Sequence, residues 1–252
     1  PVAVLAPERA PAMITSLAQR LACLRELGLQ GAIVQRFTRG FAAQTPEEFV
    51  RRRLVEDLGA SAVVVGYNVN FGRDRAGTPE RLAELGRESG FDVEIVAPVV
   101  AGGMQVSSSA IRRRLAAGDV AEAGTLLGRE PVLVGRVRHG DRRGASIGFP
   151  TANVFPRGGM LPPDGVYAVL VGIGGESPHR PGVANLGLNP TFGAARRRLE
   201  VHLFDFAGDL YDERIAVGFA KRLRGEVRFS SVDALVAQIR LDADEARAAL
   251  AA

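Results

Sequence analysis

Along the first half of the chain, helical spacing of apolar residues alternates with short apolar runs. Leu17, Leu21, Leu24 and Leu27 fall three or four residues apart, which predicts a helix over 16–27 with Gly28 as its stop. Thr45-Pro46-Glu47-Glu48 predicts a second helix, reaching about Leu58. Thr45 caps it, Pro46 takes the first position, and the two acids sit where the helix dipole favours negative charge. Thr78-Pro79 opens a third helix that ends near Gly86 or Gly90, and two more are predicted over 109–117 and 119–127, stopped by Gly118 and Gly128. The apolar runs at 1–5, 32–34, 61–66 and 93–96 read as strands. Strands alternating with helices predict an α/β layer around a parallel sheet.

After Gly128 the period changes to two. Residues 132–137, 166–171, 199–204 and 215–219 alternate in polarity, and Gly/Pro clusters at 140–148, 156–163 and 172–182 separate them. This pattern predicts an antiparallel sheet or small barrel. A final helix is predicted from Ser231 to about Leu250, with Leu235, Ile239 and Ala246 on one side. Ser230 and Asp233 are spaced like a capping box ahead of it. A boundary near 128–131 therefore divides an α/β region, 1–128, from a β region, 129–252.

Composition narrows the class. The 252 residues are 46% hydrophobic and 24% charged, a globular balance that excludes disorder. No apolar run approaches the ~20 residues of a membrane span, so no membrane partner is expected. No basic segment precedes a hydrophobic stretch, which predicts a cytoplasmic protein without a signal peptide. The single cysteine, Cys23, excludes an intrachain disulfide and a Cys-based zinc site, and its helix suggests a buried structural thiol. Lys221 is the only lysine, so the net charge of +4 is carried by arginine, whose fork suits phosphate. An excess this small, with no clustered basic run, does not predict nucleic acid as a partner.

Three segments carry candidate chemistry. The densest is 140–153, GDRRGASIGFPTAN. Gly140, Gly144 and Gly148 allow a backbone to approach an anion closely, Arg142 and Arg143 add charge, and Pro150 stiffens the entry to Thr151 and Asn153. A hydroxyl and an amide two residues apart on a strand share a face and suit a hydrated magnesium ion with a phosphate oxygen. A Gly-rich hairpin with a polar end accounts for the same residues equally well. In the second segment, 199–206, alternation sets Glu200 and His202 opposite Leu199, Val201 and Leu203. Glu200 is either a base at the open end of a barrel or a solvated carboxylate. The third is Ser107-Ser108-Ser109 with Arg112, either an anion site at a helix start or plain capping. No Walker phosphate loop occurs, and His139, His179 and His202 lack metal-ligand spacing.

The run GFPTAN at 148–153, preceded by GRVRHGDRRG at 135–144, resembles the riboflavin kinase module of the bacterial bifunctional riboflavin kinase/FMN adenylyltransferase (FAD synthetase) family. LPPDGVYAV, GVANLGLNPTFG and LEVHLFDFAGDLY follow in the order of that module. The resemblance implies a six-stranded Greek-key barrel with a C-terminal helix over 129–252. It also implies magnesium-ATP held at Thr151 and Asn153, Glu200 as catalytic base, and riboflavin, FMN and ATP as the small-molecule partners.

The first half resembles the family's adenylyltransferase module, a nucleotidyltransferase-like (Rossmann-like) fold, through FAAQTPEEFV at 41–50 and the phosphate-gripping VSSSAIRRRLAAGD at 106–119. The family's G-x-F-D-G-x-H-x-G-H segment is absent from these residues, and Asn68 replaces the Asp of its G-x-D-F-x-F-G. The chain is thus expected to begin about one βαβ unit into that module, as a truncated layer. The leading expectation is riboflavin kinase. Bifunctional activity that also makes FAD, and a non-catalytic flavin- or RNA-binding module, are the alternatives.

Overall fold

The computed structural model describes residues 2–140, 144, 147–156, 158–189 and 196–251. In chain order the main elements are α1 (Leu17–Glu26), α2 (Pro46–Phe49, continuing as a π-helix over Val50–Asp57), β1 (Ala62–Gly66), α3 (Pro79–Ser89) and β2 (Asp92–Val96). They continue with α4 (Ser108–Ala117), α5 (Val120–Leu127), β3 (Val132–Arg138), β4 (Ala152–Pro156) and β5 (Gly165–Ile173). The last are β6 (Arg180–Asn189), β7 (Arg196–Leu203), β8 (Arg214–Arg224) and α6 (Val232–Leu250). Two compact units result: residues up to Pro11 with Gln30–Val100, and Ala12–Leu29 with Ala101 onward.

In the first unit β1 and β2 pair in parallel, Ala62 opposite Asp92 through Gly66 opposite Val96, with α3 between them in sequence. Thr45 starts α2 as expected: its hydroxyl accepts from the Glu48 N–H while the Glu48 carboxylate accepts from the Thr45 N–H at 3.0 Å. Val50, Leu82, Leu85 and Phe91 form the small core, with Val63 and Val65 of β1 against it.

In the second unit six antiparallel strands close into a barrel of order β8-β3-β4-β7-β6-β5. β5, β6 and β7 are successive neighbours, and β4 lies beside β7, which is the Greek-key arrangement. Alternation decides the interior. Tyr167, Val169, Val171, Leu199, Val201, Ile215 and Val217 point inward and are fully buried. The Tyr167 ring meets Phe219 edge to face at 5.1 Å, and its hydroxyl donates to the Pro163 carbonyl at 2.6 Å. Ile111, Leu115, Val120 and Leu126 of α4 and α5 join this core. On the outside, α6 lays Ala243 and Ala246 against Val166, Ala168, Val183 and Phe204.

Five expectations change. Residues 2–5 form a short helix rather than a strand. Residues 32–34 form no strand, and Ile33 is 73% exposed: three apolar residues without a paired neighbour cannot satisfy a strand's backbone. Ser231, not Ser230, caps α6, because its hydroxyl is the one within 3.1 Å of the Ala234 N–H. The segment read as a Gly/Pro separator at 172–182 already contains the start of β6 at Arg180. Cys23 is half-buried rather than buried, since no residue of α1 is fully enclosed. Arg142 and Arg143 lie outside the described residues.

Candidate active site

Because Leu199 and Val201 fill the barrel, Glu200 between them must point out. The site is therefore on the barrel's flank and not at its open end. Val154 is likewise buried inside, which turns Asn153 of β4 outward. The register then sets Glu200 directly opposite Asn153 on one side and Asn185 of β6 on the other. The same row continues to Val166 on β5 and Arg224 on β8. No sequence spacing links these residues. Only barrel closure brings them together.

The α6 helix and the segment 225–231 stand over this row and enclose a cleft of about 670 Å³. On the barrel face the cleft is lined by Thr151, Asn153, Arg198, Glu200 and His202 beside Val166 and Val183, and the wall that covers it adds apolar Val227, Phe229, Leu235 and Ile239. A buried ion pair fixes the helix. The carboxylate of Asp242, 4% exposed, accepts from Arg224 Nε at 2.9 Å and Nη2 at 2.7 Å, and from Gln238 Nε2 at 2.9 Å. At the other end Arg247 donates to Asp205 at 2.8 Å, and this holds the Asp205 carboxyl below its usual range.

The Gly-rich segment supplies space. A Cβ on Gly140 would collide with the Asn153 side-chain amide, and one on Gly144 would lie 3.2 Å from Thr151 Oγ1 and clash with the Phe149 carbonyl. The backbone thus passes where only glycine fits, against the two residues predicted to face phosphate. Gly148 takes a positive φ of 85° in the turn before Pro150. His202 Nδ1 donates to the Pro150 carbonyl at 2.8 Å, and its ring meets Phe149 edge to face, which ties this entry to β7. Arg198 Nη2 donates to Glu200 Oε1.

Gly144, Thr151, Asn153 and Glu200 accordingly line one cleft, while Ser107, Ser108, Ser109 and Arg112 do not. Ser107 is the cap of α4, its hydroxyl accepting from the Ala110 N–H at 3.1 Å. Arg112 lies beyond the first turn and donates to the Ala12 carbonyl at 2.7 Å. Sequence reasoning missed Arg198, Asn185, Arg224 and the apolar wall. Arg198 had a usable signal, since it shares the outward face of β7 with Glu200. Among the described residues no cluster of three or more His, Cys, Asp or Glu residues is arranged to hold a metal. Likewise no described helix is long and apolar enough to cross a membrane.

Known proteins resemble this chain in sequence and in fold. Residues 127–250 match the riboflavin kinase family model, and residues 1–110 match that of FAD synthetase. The bifunctional riboflavin kinase/FMN adenylyltransferase of Escherichia coli strain K12 is 44% identical over 247 residues, which are 98% of this chain and 79% of the relative. That of Bacillus subtilis is 35% identical over 252 residues, covering 98% and 78%. A solved structure described as a macrolide-efflux protein from Streptococcus pneumoniae superposes with a TM-score of 0.83 at 35% identity, covering 93% of this chain and 75% of that one. The chain is an enzyme of the bifunctional riboflavin kinase/FMN adenylyltransferase family, and its barrel is the riboflavin kinase module.

Proposed function

We propose that the cleft transfers the γ-phosphoryl group of ATP to the terminal ribityl hydroxyl of riboflavin, giving FMN and ADP. The observation that carries this reading is the convergence of Thr151, Asn153 and Glu200 on one wall, with an apolar wall alongside. Phosphoryl transfer to an alcohol needs positioning and charge neutralisation more than covalent catalysis. Glu200 accepts the hydroxyl proton as the oxygen bonds to phosphorus and the bridging oxygen leaves with ADP. An alcohol is a weak acid, so this proton moves late. The apolar wall suits the flat isoalloxazine ring, leaving the ribityl chain to reach Glu200.

The residues present fit a magnesium ion. The Thr151 hydroxyl and the Asn153 amide oxygen are hard, neutral donors, and the glycine backbone approaches them so closely that no Cβ fits between. Such a set suits an ion that keeps waters and takes its other ligands from phosphates. When bound, magnesium neutralises phosphate charge. Asn153 orients the nucleotide, and the backbone N–H groups of Gly140, Gly144 and Gly148 donate to its phosphate oxygens. All these groups fall within 129–252, so we assign the kinase reaction to that part of the chain, with riboflavin, FMN and ATP as its partners. A second reading, adenylylation of FMN to FAD, rests on the match of 1–110 to the FAD synthetase model.

Incubation of the folded chain with ATP, magnesium and riboflavin, followed by chromatography of the flavins, tests both readings. FMN is expected to accumulate, and its absence would overturn the kinase assignment. FAD forming as well would add the second activity. Thr151→Val, which removes a ligand at nearly constant volume, is expected to weaken the magnesium dependence. Superimposable magnesium titrations would reduce Thr151 to a structural role.

A further inference from the structure

Arg198 lies on β7 two residues before Glu200, on the same outward face, and its side chain is only 12% exposed. Among the described residues three arginines line the cleft: Arg198, Arg224 and Arg228. Arg224 is committed to Asp242 and to the Gly225 carbonyl. Arg198 instead donates to Glu200 Oε1, the candidate base itself. Along β7 the order is Arg198, Glu200, His202, and His202 reaches the Pro150 carbonyl beside Thr151. Arg198 therefore stands on the far side of Glu200 from Thr151, about 7 Å along the strand at ~3.4 Å per residue. Its cross-strand partner is Gly187, and the Glu226 carboxylate lies over that glycine.

From this placement we infer that Arg198 is a positioning residue for Glu200. A glutamate head swings on three rotatable bonds, and the Glu200 side chain is 32% exposed on the open face of the cleft. The guanidinium holds Oε1 and so turns the carboxylate to present Oε2 to the acceptor proton. The cost of orienting the base is then met in the folded protein rather than at the moment of transfer. The position beyond Glu200, beside Glu226, does not suit Arg198 as a direct ligand of the phosphates. This inference rests on Glu200 being the base.

A double-mutant cycle on the full chain separates the two ideas. Arg198→Met is expected to lower kcat for FMN formation by about tenfold, with KM for ATP and for riboflavin within threefold of wild type. Arg198→Lys, which keeps the charge but loses the fork, is expected to fall between them. The decisive arm is Arg198→Met in the Glu200→Gln background. There the base is already gone, so the second substitution is expected to change kcat less than twofold. If Arg198→Met does not fold, Arg198→Lys completes the same cycle. Losses that multiply, or a raised KM for ATP, would make Arg198 an independent phosphate ligand and overturn the inference. Unchanged kcat in the single variants would overturn it too. A Glu200→Gln protein with near wild-type kcat would instead overturn the base assignment on which it stands.

Discussion

Strands β1 and β7 teach opposite lessons about hydrophobic pattern. β1 reads AVVVG, an almost unbroken apolar run, yet Val64 is 61% exposed and only Val63 and Val65 reach a core. Five of the eight residues of β7 are arginine, glutamate or histidine, yet Leu199 and Val201 are completely buried. Among the described residues β1 has β2 as its sheet neighbour, whereas β7 is paired on both edges within a closed barrel. Closure, not apolar content, determines which side chains leave water. It also leaves each strand of the barrel an outward row, and the cleft is built on that row.

Leu199→Ala is expected to cost about 3 kcal/mol in denaturant unfolding, whereas Val64→Ala costs less than about 0.5 kcal/mol. Equal losses would mean that β1 is as enclosed as β7. The outer face of the barrel is covered too, through α6. Asp242→Ala, which leaves Arg224 without its buried partner, is expected to cost about 3 kcal/mol and to weaken riboflavin binding through the cleft wall. A loss below 1 kcal/mol would show that apolar contacts alone hold α6. Ser231→Ala, removing the cap of the same helix, is expected to cost about 1 kcal/mol with kcat unchanged. The same substitution at Ser230 is expected to be silent, and the reverse ranking would restore the earlier cap.

How much was legible follows from the same physics. Strands with clean alternation, such as β3 and β7, were readable because one face is fully buried. β6 was not, because RPGVANLGLN carries turn residues through a strand. In the fold those residues serve close packing: a Cβ on Gly182 would lie 2.6 Å from the His202 carbonyl oxygen of the neighbouring strand. With β6 unread, Asn185 could not be placed beside Glu200. Thr151, Asn153 and Glu200 were named from motif and face. Their meeting in one site was implied by the family resemblance and not by spacing, since it depends on β4 pairing with β7 across more than 40 residues. The apolar triplet at 32–34 misled for the opposite reason, having the composition of a strand without a partner.

If the outward carboxylate of the inward-packed β7 is the base, Glu200→Gln removes the reaction's proton acceptor while preserving shape. With ATP, magnesium and riboflavin at saturation, kcat for FMN formation is expected to fall by about 10² or more, the scale of a general base, while KM for ATP stays within threefold. A variant that makes FMN at near wild-type kcat would contradict the account and return Glu200 to being a solvated carboxylate on a barrel strand.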